Sequence, residues 1–65
     1  MKYQIGQMVV YEWTNTFEIG VIIGIDRGSI YPYRIHFPED NDDDWYKPES
    51  VDDMVEALES LLEEK

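Results

Sequence analysis

The 65-residue chain has no cysteine, which excludes disulfides and thiolate-bound zinc as sources of stability. No stretch reaches the roughly 18 apolar residues a membrane span needs, and no charged-then-apolar leader precedes the first strand pattern. The sequence therefore predicts a soluble, cytoplasmic protein, complete from its own Met1 and not bound to membrane. Catalytic equipment is scarce. His36 is the only histidine, there is no thiol nucleophile, and Ser29, Ser50 and Ser60 fall in a turn, a cap and a helix face. Gly20 and Gly24 lie inside a strand pattern rather than before a helix, so no phosphate-cradling loop exists. A carboxylate pair for acid–base work needs one desolvated member, and the acids here are massed in solvated segments. No enzyme activity and no cofactor are expected.

Positive charge is the other scarcity. Five Lys and Arg stand against fifteen Asp and Glu, for a net charge of −10. The imbalance is confined to one half. Residues 1–37 sum to zero, whereas residues 38–65 hold twelve acids against Lys47 and Lys65. Such a surface repels phosphate backbones and attracts basic partners. Direct nucleic-acid binding is not expected; a partner with a basic surface, or one that handles nucleic acid, is.

What is present reads as one small domain over 1–65, with a barrel at 3–50 and a C-terminal helix at 51–64. A chain this short buries only about 60% of its unfolded surface, and an aromatic content of 14% compensates because each ring buries a large area. Ile5 to Trp13 reads as a first strand and Thr14-Asn15-Thr16 as a turn. Phe17 to Ile25 is the longest strand, with Ile19, Val21, Ile23 and Ile25 as its continuous apolar face. Gly20 and Gly24 on the other face let it bend or let a neighbour lie close. Ile30 to Phe37 follows, with Tyr31, Tyr33, Ile35 and Phe37 on one face and Arg34 and His36 on the other. Pro32 argues for an edge or a bulge near that strand's start. Pro38 to Asp44 reads as an acidic loop, and Asp44 to Lys47 as a short strand stopped by Pro48.

The final segment carries the helix. Ser50 and Asp53 make a capping-box pattern. Val51, Met54, Val55, Leu58, Leu61 and Leu62 follow helical spacing, with Asp52, Glu56, Glu59, Ser60 and Glu63 opposite. The stripe is expected to cover the open end of the barrel, with pairing to a second copy as the alternative. The chain is thus a monomer or a helix-mediated homodimer.

The strand motifs Gly6-x-x-Val9-Val10-Tyr11, Gly20-Val21-Ile22-x-Gly24-Ile25, Tyr33-x-Ile35-x-Phe37 and Trp45-Tyr46-x-Pro48 resemble SH3-like and Tudor-like barrels. Over roughly residues 4–50 they are most similar to the RNA polymerase-interacting domain of the CarD and transcription-repair-coupling group. They also resemble the hemimethylated-DNA-binding YccV-like domain, which opens on a similar Ile-Gly-Gln-x-Val. The CarD-like resemblance implies docking on a polymerase lobe. The YccV-like one implies DNA contact, which the charge opposes. The resemblance supports a small barrel of four or five antiparallel strands; with the C-terminal amphipathic helix, which lies outside the resemblance, the expected fold is mainly β with one α. Likeness to Tudor domains implies that Trp13, Phe17, Phe37 and Trp45 cage a methylated lysine or arginine beside Asp42.

Candidate binding residues follow from position. Trp13, Phe17, Phe37, Trp45 and Tyr46 would anchor a partner, and Asp40, Asp42, Asp43 and Asp44 would steer it. Mid-strand rings are equally explained as core, and the acids as a solvated loop protecting an edge. A calcium loop starting at Asp40 would need glycine at Trp45 and glutamate at Val51, so no metal site is expected. The alternative function is that of a DNA mimic, with Asp52, Glu56, Glu59 and Glu63 imitating phosphates. Small acidic proteins of phages and mobile elements often act as such decoys.

Overall fold

A computed structural model describes residues 2–63. Five strands and one helix occur in the order β1 (Met8–Trp13), β2 (Thr16–Ile25), β3 (Tyr33–Phe37), β4 (Asp42–Tyr46), β5 (Asp52–Asp53) and α1 (Met54–Glu63), with a 3₁₀ turn at Pro48–Ser50 before β5. They form a single antiparallel sheet in the order β4-β3-β2-β1-β5. The fold is mainly β with a C-terminal helix, as the strand patterns predict. β4 and β5 are its two edges, and no ladder joins them among the described residues.

Local chemistry sets the connections. Thr14 and Asn15 both take positive φ, 48° and 68°, and Trp13 pairs with Thr16. This is the two-residue turn whose twist matches that of paired strands. Asn41, at φ 51°, ends the turn between Phe37 and Asp42, which pair across β3 and β4. β4 therefore starts at Asp42, so Asp42 and Asp43 belong to a strand and not to the expected loop, two residues ahead of the strand expected from Asp44.

The core lies on one side of the sheet, its inner face, and consists of Tyr3, Val9, Ile22, Tyr33, Ile35, Phe37 and Val51. This corrects the expected apolar face of β2. The buried positions are Gly20 and Ile22, whereas Ile19, Val21 and Ile23 look outward. A Cβ on Gly20 would stand 2.5 Å from Ile35 Cγ2 and 2.9 Å from Phe37 Cε1, so the core demands glycine there. Between Ile22 and Gly24 the register with β3 shifts. Ile23 is the extra residue of a bulge, after which Ile25 rejoins the inner face beside Tyr33 and Gly24 turns outward toward Arg34 and Trp45. Both glycines therefore do not share a face.

α1 departs from expectation at its start and along its stripe. Residues 51–53 are not helical. The Asp53 carboxylate accepts the Glu56 N–H at 3.2 Å, the geometry of an N-cap, and Ser50 instead ends the 3₁₀ turn. The expected last helical residue, 64, lies outside the described residues. No residue of α1 is buried, so the stripe does not close the inner side of the sheet. Val51 alone of the expected stripe enters the core.

Candidate functional site

The outward side chains of β1 and β2 form a second apolar surface. Strand alternation and the pairs Val10–Ile19 and Glu12–Phe17 put Val10, Phe17 and Ile19 side by side, away from the core, with Glu12 at the end. α1 leans over this surface because β5 pairs Asp52 with Val10 and Asp53 with Val9, so the helix starts at the sheet edge. Gln7 donates to Asp53 Oδ1 at 2.7 Å and fixes that start. Between sheet and helix runs a groove of about 530 Å³. Val10, Phe17 and Ile19 floor it, and Met54, Ala57, Leu58 and Leu61 wall it. Leu58 and Leu61 are each half exposed and Phe17 is 54% exposed. The charged side chains lining the groove are Glu12, Asp52 and Glu56, all acidic.

The acids of residues 39–44 divide between the two faces of the sheet. Asp43, opposite His36 in the ladder, points outward. Its carboxylate accepts from Arg34 Nη2 at 3.3 Å and meets His36 Nδ1, so its charge is already paired. Asp42 and Asp44 pair with Phe37 and Ile35 and stand at the inner rim. There Glu18 of β2 joins them. Its carboxyl is pushed above the usual glutamate range, first by a hydrogen bond with Asp40, then by partial burial and by the charges of Asp40, Glu39 and Asp42. Tyr46 on the same rim is raised by burial and by Asp44. Among the described residues no group of three or more His, Asp or Glu side chains is placed to hold a metal ion.

The expected aromatic cage is not formed. Phe37 is 4% exposed in the core, where it packs edge-on against Tyr11 and Tyr46 with ring centroids 6.1 and 5.5 Å apart. It offers no surface to a partner, and Tyr46 is half-buried in the same trio. Trp13 and Phe17 are exposed at the β1–β2 turn. Trp45 is opposite Arg34, which is opposite Gly24. Gly24 lies seven positions from Phe17 along β2, about 20 Å. The rings expected to converge thus sit at opposite ends of the sheet. Of the residues expected to imitate phosphates, Asp52 lies on β5 at the groove, while Glu56, Glu59 and Glu63 are exposed on α1 at helical spacing.

Of the expected anchors, only Phe17 lines the groove. The others there read in the sequence as strand interior (Val10, Ile19) and helix stripe (Met54, Leu58, Leu61), except Ala57, which belongs to neither reading. Their signal was an excess of apolar faces: β2 is apolar on both sides, and a short sheet can bury only one of them. Comparison with protein-family models, curated proteins and solved structures gives no match to this chain. Among the described residues no helix is long and apolar enough to cross a membrane.

Proposed function

We propose that this chain is a non-catalytic, acidic protein-interaction module whose partner is a protein that has a basic surface or handles nucleic acid. The observation that carries the reading is the groove between α1 and the outer face of β1–β2. It leaves several large apolar side chains open to water, and the only charges it places among them are carboxylates. Apolar surface rimmed by polar groups is the usual form of a protein contact. A rim of one sign speeds encounter with partners of the other sign. Docking on the transcription machinery is the specific version that the CarD-like resemblance suggests.

Retention of partners from a cell lysate on the immobilised chain tests this reading. A basic or nucleic-acid-handling protein is expected to bind at low salt, more weakly at high salt, and poorly to the Leu58→Ser/Leu61→Ser double variant. If nothing of that kind is held at low salt, the reading fails. Two further arms detect the DNA-mimic alternative. In that case duplex DNA competes for the partner, and Glu56→Gln with Glu59→Gln weakens binding more than the leucine changes do.

A further inference from the structure

We infer that the occupant of the groove is an amphipathic α-helix of the partner, its apolar stripe laid between α1 and the β1–β2 sheet face and its flanks carrying Lys or Arg. This rests on the interaction-module reading above and adds the shape and chemistry of the bound segment. Three observations lead to it.

The first is the hydrogen bonding of the groove's walls. Val10 is paired on both sides, with Ile19 of β2 and Asp52 of β5, and the opposite wall is a helix. Over Val10 and along α1 the groove therefore offers side chains and no free main-chain groups, although β1 beyond Val10 has no ladder on the β5 side. A segment entering it leaves water without gaining ladder partners, so its own N–H and C=O groups must be satisfied internally. A helix does that; an extended peptide does not. The second is shape. Val10 and Ile19 lie side by side on the sheet, while Met54, Ala57, Leu58 and Leu61 follow one another along α1. A sheet floor facing a helical wall of this kind accepts side chains repeating at i, i+3, i+4 and i+7.

The third is charge. Glu12, Asp52 and Glu56 are the charged groups of the lining, and Glu59 and Glu63 continue along α1. Lys2 also senses Asp52 and Glu56. Its ammonium is held charged above the ordinary lysine value, first by a hydrogen bond with Tyr3 and to a smaller extent by those two carboxylates. It does not line the groove. A second copy of this chain is a poor occupant, because each copy carries −10 and would bring carboxylates to carboxylates.

The probe is a synthetic peptide of about 18 residues, built from leucine and lysine with leucines at helical spacing. One control has the same composition with leucine and lysine alternating; another has a central proline. Binding is followed by NMR of the labelled full chain. The helical peptide is expected to shift the Val10, Ile19, Leu58 and Leu61 signals and to turn helical on binding. Affinity is expected to fall at least about tenfold in Leu58→Ser, with Leu61→Ser as an independent second variant. Both leucines are half exposed, so either variant is expected to keep its fold, checked by the dispersion of the core signals. Equal binding of the alternating or proline peptide, or shifts outside the groove, reduces the effect to charge attraction and overturns the inference. Sedimentation showing a dimer whose contact covers the groove overturns it in favour of a second copy. If the helical peptide fails while a basic lysate partner is still retained, the helix is refuted and the module reading stands. If both fail, both readings fall.

Discussion

The Tyr3 hydroxyl donates a 2.9 Å hydrogen bond to the carbonyl of Val51, 48 positions away. Tyr3 lies before the first strand and Val51 just ahead of β5, so the bond ties the segment entering β1 to the segment entering β5. Tyr33 completes the clasp, its hydroxyl accepting the Tyr3 N–H at 3.0 Å and its ring meeting the Tyr3 ring edge-on at 5.2 Å. Tyr3→Phe keeps the ring and deprives a buried carbonyl of its donor. It is expected to cost about 1–2 kcal/mol, and Tyr3→Ala about 3–5 kcal/mol. Urea unfolding should show a lower midpoint with an unchanged slope for the phenylalanine variant.

The same clasp predicts alkaline sensitivity. Burial pushes the Tyr3 phenol above its ordinary value, and burial with nearby Asp44 does the same for Tyr46. The folded state thus holds these protons more tightly than the unfolded one. Their contribution is complete below the ordinary tyrosine pKa of about 10 and is lost as pH rises through the folded values. Ultraviolet titration should show Tyr3 and Tyr46 ionising above the ordinary tyrosine value, with Tyr3 assigned by the loss of its late component in Tyr3→Phe. Stability measured in parallel should begin to fall near pH 10, and Tyr3→Phe should flatten that fall.

Gly20 and Gly24 are expected to respond unequally to substitution. A side chain at Gly20 meets Ile35 and Phe37 in the core, whereas a Cβ at Gly24 would stand 3.3 Å from Arg34 Cβ on the outer face. Gly20→Ala should destabilise by about 1–3 kcal/mol through overpacking, and Gly24→Ala by less than about 1 kcal/mol. Thermal unfolding of the two variants side by side makes the comparison. Equal losses would mean that the bulge at Ile23 does not separate the two faces.

That bulge marks where sequence reasoning reached its limit. The β1–β2 hairpin was legible because Thr-Asn punctuates alternating apolar segments, whereas the acidic run hid the start of β4 within an expected loop. The buried side of β2 was not, since Ile19, Val21, Ile23 and Ile25 form a cleaner apolar row than Gly20, Ile22 and Gly24. Residue size decided the matter. Ile35 and Phe37 need room that only Gly20 supplies, and this depends on a cross-strand register no periodicity reveals. Tyr3 was overlooked for a related reason: it precedes any repeating pattern, and its partners lie at the far end of the chain. The groove was half legible: Met54, Leu58 and Leu61 of the expected helix stripe wall it, Val55 and Leu62 do not, and the surface facing them was assigned to the core.

Glu18 should be a liability at neutral pH. Its carboxyl is raised by its hydrogen bond with Asp40 and by surrounding acids, so the folded state favours the protonated form. The stabilisation that proton brings is complete below the ordinary glutamate pKa and is lost as pH climbs through the folded value, which leaves repulsion at pH 7. Glu18→Gln removes the charge and keeps a hydrogen-bonding group. It should raise Tm at pH 7 and leave it nearly unchanged at pH 4. A variant that melts lower than the parent at pH 7 would show that the rim carboxylates are not in conflict.

Two residues compete for the start of α1, and their variants separate them. Ser50 fits a cap by spacing, but the backbone does not turn helical until Met54. Between the two, Asp52 and Asp53 are taken up by pairing with Val10 and Val9. That short ladder delays the helix by three residues and transfers the capping role to Asp53, which accepts from the Glu56 N–H and is itself held by Gln7. Asp53→Ala is expected to cost about 0.5–2 kcal/mol, with faster amide exchange through the first turn of α1. Ser50→Ala should stay within about 0.5 kcal/mol of the parent. Because Met54 and Ala57 wall the groove from that first turn, Asp53→Ala should also weaken the helical peptide even though Asp53 does not line the groove. Gln7→Ala should do the same to a smaller degree. An Asp53→Ala variant with unchanged exchange and unchanged peptide affinity would mean that α1 is positioned by something other than its cap.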